Sequence, residues 1–328
     1  MSADRLLGVD QLRVDYPVRR RPPFRAVDDV SFAIGPRETV GLVGESGSGK
    51  TTIANTVLGF VPAAAGAITF DGEDITGATR DRRRRLSASV QVVFQNPYSS
   101  LNPARTIGKT LAETLRPHGS PSRAEVAERV ARILERVGLD PAAADRYPGQ
   151  FSGGQRQRIA IARALIVAPR LVLCDEPVSS LDLSVQAQVL NLLRSLQDEL
   201  GLSYLFISHD LAVVRHISMR VVVLYHGRVM EAGPAAVVYR YPAHPYTRAL
   251  LESAPIPDPD RQRARRTART RSAPDITGTV RPESCPFAPR CPQAVDVCRE
   301  RRPAAELTSE GVLVACHRWR ELAGAPVT

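Results

Sequence analysis

An α/β fold is expected, with a parallel sheet as its core, an antiparallel β layer at its start, a helical insert in its middle and a small Cys-containing C-terminal extension. Three observations predict it. Short apolar runs, LVLCDE (171–176), SYLFIS (203–208) and MRVVVLY (219–225), alternate with helical segments such as SVQAQVLNLLRSLQDEL, the order of a parallel sheet covered by helices. The apolar strand TVGLVG runs into a glycine loop and then a helix beginning near Lys50. Ahead of it, LRVDY and AVDDVSFAI alternate apolar and polar residues, as half-buried antiparallel strands do.

The remaining elements come in chain order. The two entrance strands are separated by the Pro/Arg-rich loop VRRRPPF, and AITFDG supplies another strand with a turn at Asp71-Gly72. From Ser122 to Val137 the apolar positions Val126, Val130, Ile133, Leu134 and Val137 recur at helical spacing, and the next helix starts near Gly153 and Gly154. PYTRALLES reads as a last short helix. Residues 256–282 are rich in proline and arginine without hydrophobic periodicity, which is the composition of a linker. The chain therefore divides into a body over 1–255, with the insert at about 96–168, a linker over 256–282 and a Cys-rich extension over 283–328. In IGPRETVGLVG, Arg37 precedes Glu38 where segments that resemble this one commonly have glycine, a departure that bears only on a local turn.

Composition excludes several classes. With 43% hydrophobic and 24% charged residues and no apolar stretch of spanning length, the chain is not expected to enter a membrane. MSADRLLGVDQLRV lacks the plan of a signal peptide, so a cytosolic location is expected. The net charge of +10 is concentrated: six arginines lie between Arg261 and Arg271, and Arg82 to Arg85 form another clump. Such local basicity is weak support for a nucleic-acid face, and no nucleic-acid partner is expected. A solvated tether or contact with anionic lipid headgroups are the two readings of the Arg-rich linker. Of five cysteines, Cys285, Cys291, Cys298 and Cys316 gather in the last fifth of the chain, which favours metal over disulfide in a cytosolic protein.

The chemistry is carried first by Gly44-Glu45-Ser46-Gly47-Ser48-Gly49-Lys50-Thr51, followed by Thr52. It matches G-x-x-x-x-G-K-[ST] between a strand and a helix, the context in which backbone N–H groups curl around phosphates. Lys50 would reach the β- and γ-phosphates, and Thr51 would place its hydroxyl on Mg²⁺. Asp175 and Glu176 close the apolar strand LVLCDE at the end where open α/β sheets meet their ligands. Asp175 would hold the metal through water, and Glu176 would activate the attacking water. Cys174, inside the strand, reads as a small core residue.

FSGGQRQRIAIARAL resembles the signature of the ABC ATPase family, with Phe151 in place of the usual leucine. The resemblance implies that Ser152, Gly153, Gly154 and Gln155 are offered to the ATP of a second subunit, so that each site needs two chains. It also implies a Q-loop at Gln95, which would join the metal site to the insert, a D-loop at Ser180 to Asp182, a switch histidine at His209 and an adenine-stacking aromatic at Tyr16.

QNPYSSLNP, RYPGQFSGGQRQRIAIARAL and HPYTRALL are similar to the ATPases of oligopeptide and dipeptide importers. That branch implies a paralogous ABC ATPase as heterodimer partner, two transmembrane permease subunits, an extracytoplasmic peptide-binding protein and a place on the cytoplasmic face of the membrane. The alternatives are an importer of nickel or another small solute, and a soluble ABC ATPase acting on nucleic acid. The resemblance also implies that the Cys tail can carry a [4Fe–4S] cluster. The spacings C-x5-C, C-x6-C and C-x17-C leave iron–sulfur, Zn²⁺ and no metal open, with His317 as a zinc ligand or a surface residue.

Overall fold

A computed structural model describes residues 5–96, 101–118, 122–253 and 283–322. The arginine-rich linker over 256–282 lies outside the described residues. Two sheets carry the fold. In the first, β1 (Leu7–Tyr16), β2 (Phe24–Ile34), β4 (Ala65–Phe70) and β5 (Glu73–Asp74) pair antiparallel in the order β2-β1-β4-β5. Asp71 and Gly72 both take positive φ, 53° and 79°, the requirement of a two-residue hairpin turn.

The second sheet has the order β11-β12-β10-β9-β3-β8-β7-β6. Its centre is parallel: β3 (Thr39–Val43), β6 (Val90–Val93), β7 (Leu171–Asp175), β8 (Ser203–Ser208) and β9 (Arg220–Tyr225). β3, β7 and β8 are buried on both faces, which is why their sequences read as apolar runs, whereas β6 at the edge is only partly buried. In β7, Leu171 and Leu173 enter the core beneath the antiparallel layer, whereas Val172 and Cys174 enter the core beneath the helices. Cys174 is fully buried and its thiol is pushed up by that burial. It is a core residue.

Helices close the open faces. α1 (Lys50–Leu58) comes directly after the glycine loop, and α2 (Arg80–Leu86) lies between β5 and β6. The insert is built from α3 (Ile107–Leu115), α4 (Arg123–Arg136) and the start of α5 (Gly153–Leu165). α4 opens with a capping box, Ser122 accepting from the Glu125 N–H and the Glu125 carboxylate accepting from the Ser122 N–H. Its Val130, Ile133 and Leu134 are buried, as their spacing predicts. Four further helices, α6 (Leu183–Leu200), α7 (Leu211–Ile217), α8 (Ala235–Arg240) and α9 (Pro245–Ser253), return the chain to the body.

The Cys-containing extension joins the main sheet. After the short α10 (Asp296–Glu300), β11 (Glu306–Leu307) and β12 (Leu313–Val314) pair antiparallel, and β12 adds to β10 (Arg228–Pro234) through Glu231↔Val314 and Ala232↔Leu313. α11 (Trp319–Leu322) closes the described chain. Strands of two residues leave no period-two signal, so the sequence pattern alone reads as a separate tail.

Arg37 takes φ 59°, the left-handed conformation in which an L side chain crowds its own carbonyl. Replacing Arg37 with glycine is expected to stabilise the chain by about 1 kcal/mol. Thermal unfolding checks this: the midpoint rises by a few degrees, and a fall would mean that the arginine side chain outweighs the backbone strain.

Candidate active site

The glycine loop is shaped by close backbone approach. A Cβ on Gly44 would stand 2.2 Å from the Leu224 carbonyl oxygen, and Gly49, at φ 102°, would place one 2.7 Å from the Ala26 oxygen. Only glycine fits either position. The Gly227 N–H donates to the Ser48 carbonyl at 2.9 Å, so the β9–β10 turn supports the loop from outside. Ser46 and Gly47 lie at the loop's apex, and a Cβ on Gly47 would meet nothing within 4 Å. Tyr16 reaches the same helix start, its hydroxyl 3.4 Å from Thr52 Oγ1.

Lys50 is the first residue of α1 and is buried. Its ammonium donates to the Gly44 and Glu45 carbonyl oxygens at 2.7 and 2.9 Å, and more loosely to Ser48 Oγ at 3.4 Å. Burial pushes its pKa below the usual lysine value, while Glu176, Asp175 and Glu45 pull it back up. Phosphate oxygens can replace those loop carbonyls as acceptors, assisted by the positive end of the α1 dipole.

Two carboxylates stand opposite. Thr51 Oγ1 donates to Asp175 Oδ1 at 3.5 Å, which brings together two hard oxygen donors of the kind Mg²⁺ takes beside nucleotide phosphates. The fit supports the predicted role: Thr51 and Asp175 would hold the ion, which neutralises charge on the β- and γ-phosphates. Desolvation, then the charge of Glu176, pushes the Asp175 pKa up, and Lys50 opposes both.

Glu176 has φ 47°. A side chain held in that sparsely populated region is aimed by its surroundings, here by its own N–H donating to the Ile207 carbonyl at 3.0 Å. Gln95 Nε2 donates to Glu176 Oε2 at 3.2 Å, and His209 Nδ1 lies 3.1 Å from Glu176 Oε1. The residues predicted from separate segments thus converge on one carboxylate. Gln95, expected also as a metal ligand, uses its amide nitrogen for Glu176, while a metal would take its amide oxygen. A carboxylate oriented from two sides can take a proton from a water attacking the terminal phosphate.

Ser152, Gly153, Gly154 and Gln155 are placed elsewhere. Ser152 caps α5, with the Gln155 N–H donating to its hydroxyl at 3.4 Å and the Gln155 side chain accepting from the Ser152 N–H at 3.0 Å. A Cβ on Gly154 would lie 2.5 Å from Val185 Cγ1, so a larger residue there would have to displace the Val185 side chain. Asp182 caps α6, accepting from the Val185 N–H at 3.0 Å. Among the described residues no hydrogen bond or ion pair joins this cap to the glycine loop of the same chain.

Cys285, Cys291, Cys298 and Cys316 line one narrow cavity together with His244 and His317. Burial pushes the Cys285 and Cys291 thiols up to about 11. The His317 ring nitrogen Nε2 is engaged with the Arg301 carbonyl at 2.9 Å. Among the described residues no group of three or more His, Cys, Asp or Glu is drawn into metal-holding geometry.

Two features have no signal in the sequence. Arg290 of the extension grips Glu45 of the glycine loop, a contact between residues 245 apart in the chain, where local spacing says nothing. The second is a groove of about 790 Å³ between α1 and α2, lined by Leu58, Phe60, Arg83, Leu86 and Pro117. Phe60 there is 66% exposed, an apolar side chain suited to a protein partner.

A glycine phosphate cradle, a lysine, a Thr–Asp pair of hard oxygens and an oriented glutamate define a nucleoside triphosphate hydrolase. Comparison with known proteins narrows the class. Residues 27–179 match the ABC transporter family and residues 230–298 the oligopeptide/dipeptide transporter C-terminal region. The oligopeptide transport ATP-binding protein OppF of Salmonella typhimurium is 46% identical over 311 residues, covering 92% of each chain. Among solved structures, cbiO1 of Clostridium perfringens, part of the transporter complex cbiONQ, superposes with a TM-score of 0.65 at 27% identity, over 72% of this chain and 91% of that one. The dimeric ATP-binding cassette MJ0796 bound to ADP and Pi superposes with a TM-score of 0.63 at 27% identity, over 70% and 98%. The chain belongs to the ABC transporter ATP-binding family and is an ATPase.

Glu176→Gln keeps the shape of the site but removes the base. Steady-state ATP hydrolysis is expected to fall by ~10² or more with ATP binding retained. Hydrolysis at the parent rate would remove Glu176 from that role.

Proposed function

We propose that the chain supplies the power for import of di- and oligopeptides, working as half of a head-to-tail nucleotide-binding dimer beneath a membrane permease. The observation that carries the peptide reading is the match of residues 230–298 to the oligopeptide/dipeptide transporter C-terminal region, alongside a complete hydrolytic set. The relative named for oligopeptide transport covers the chain almost throughout.

The two-chain site is supported by the separation of the α5 cap from the chain's own glycine loop. In that cap a helix begins at Gly153 and Gly154, whose N–H groups lie outside the Ser152–Gln155 capping box and would offer a second cradle for phosphate. ATP bound at Lys50 of one chain would be closed by this cap from a paralogous ATPase, with Asp182 near the junction. Hydrolysis at Glu176 would then release it. Gln95 and His209 would report the state of the terminal phosphate to the insert. The groove at Phe60 is the surface proposed for the permease subunits, and in that arrangement the chain would work at the cytoplasmic face of the membrane. No helix among the described residues is long and apolar enough to cross a membrane.

We also propose that the four cysteines form a thiolate metal site, with iron–sulfur preferred over zinc. Four thiols around one cavity supply the donors such a cluster takes, and Cys285, Cys291, Cys298 and Cys316 would hold it after drawing closer together. His317 is not needed. Metal analysis of anaerobically purified chain is expected to give about four iron atoms per chain and visible absorption bleached by reduction. Zinc alone, or no metal, would overturn the iron–sulfur reading.

The peptide reading is tested in the reconstituted transporter. ATP hydrolysis is expected to rise when the binding protein carries peptide, and to stay at its basal rate when the binding protein is empty or the medium holds only nickel. Stimulation by nickel alone would assign a different solute, and stimulation by nucleic acid without permease would favour the soluble alternative.

A further inference from the structure

The phosphate loop of this chain is held from outside the ATPase motifs. Arg290 Nη1 and Nη2 donate to the two carboxylate oxygens of Glu45 at 2.7 and 2.8 Å, a bidentate pair. Glu45 is the second residue of the loop, and its N–H donates to the Tyr246 hydroxyl at 2.9 Å. Both the backbone and the side chain of one loop residue are therefore fixed by the C-terminal part of the chain.

The arginine itself has little freedom. It ends a short 3-10 turn, Ala288–Arg290, one residue before Cys291. Its guanidinium also reaches the Tyr225 hydroxyl at 3.4 Å and lies 5.7 and 5.8 Å from the ring centres of Tyr225 and Phe287. Phe287 in turn packs on Tyr225 and Tyr246, with ring centres 5.4 and 5.3 Å apart. The pair holds the Glu45 carboxyl below its ordinary pKa, the hydrogen bond from Arg290 being the largest cause. It therefore stays ionised at neutral pH.

We propose that Arg290 is a positioning residue for ATP: through Glu45 it sets the phosphate loop, and so couples nucleotide affinity to the cysteine-lined extension. The Glu45 carbonyl oxygen is one of the acceptors of the Lys50 ammonium, so a shift of Glu45 moves the lysine that meets the β- and γ-phosphates. Arg290 touches no catalytic group. Its loss therefore weakens ATP binding more than it slows the bond-breaking step, for which Glu176, Gln95 and His209 remain in place. The inference rests on the ATPase assignment. Wild-type hydrolysis in the same assay is the control that separates failure of that assignment from failure of this pair.

The experiment measures KM for ATP and kcat in the reconstituted transporter, with Arg290→Gln, Arg290→Lys, Glu45→Gln and the Arg290→Gln/Glu45→Gln double variant. Arg290→Gln is expected to raise KM about tenfold while kcat falls less than threefold, a change of ~1.4 kcal/mol by the tenfold conversion. Arg290→Lys, which keeps the charge but not the fork, should recover part of the loss. The double variant should match the worse single variant instead of multiplying the two effects, because both remove one interaction. Thermal unfolding of the full chain confirms that each variant is folded. If Arg290→Gln does not fold, Glu45→Gln carries the test alone, since it breaks the same pair without touching the extension. KM within twofold of wild type in the folded single variants, equal recovery by glutamine and lysine, or multiplicative effects would each overturn the proposal.

Discussion

The parallel register of β3, β8 and β7 is the constraint on which the active site depends. Val43 pairs with Ser208 and Ile207 with Asp175, so three strands end almost level with one another at spacings of about 4.8 Å. The segment leaving each strand must then emerge on one edge: Gly44 and its loop after β3, Glu176 after β7, His209 after β8. That register brings a phosphate cradle, a base and its orienting histidine together without long excursions. The apolar runs that drive the strands into the core therefore also decide where the chemistry occurs.

Charge at this edge is balanced by its own groups. Lys50 is a buried cation whose counter-charges are Asp175, Glu176 and Glu45, and burial, then the charge of Glu176, raises the cost of ionising Asp175. Phosphates and a divalent ion brought in together add charge of both signs, so the site accepts them as a pair better than either alone. Among the described residues no hydrogen bond or ion pair joins the α5 cap to the chain's own glycine loop, which is the ground for proposing a second chain.

Much of this was legible in the sequence because it is local. The loop GESGSGKT, the strand-ending pair Asp175–Glu176 and the helix start at Ser152 depend on residues adjacent in the chain, and each stands where the pattern places it. The convergence of Gln95 and His209 on Glu176 was legible only through family resemblance, since their spacing carries no signal of contact. The docking of the extension was not legible. Its strands are two residues long, and the Arg290–Glu45 pair joins opposite ends of the chain. The turn at Arg37 shows the complementary case: an unfavoured residue type still adopts the left-handed backbone because strands on either side impose it.

The central claim is that one chain holds half of each hydrolytic site. Its most direct test is the dependence of ATP hydrolysis on protein concentration, measured for this chain with its partner ATPase in detergent at saturating ATP. A two-chain site predicts a rate per chain that rises with concentration at low protein and then levels off as the dimer saturates. A rate per chain that is constant down to the lowest concentration, with the chains shown to be monomeric there, would contradict it.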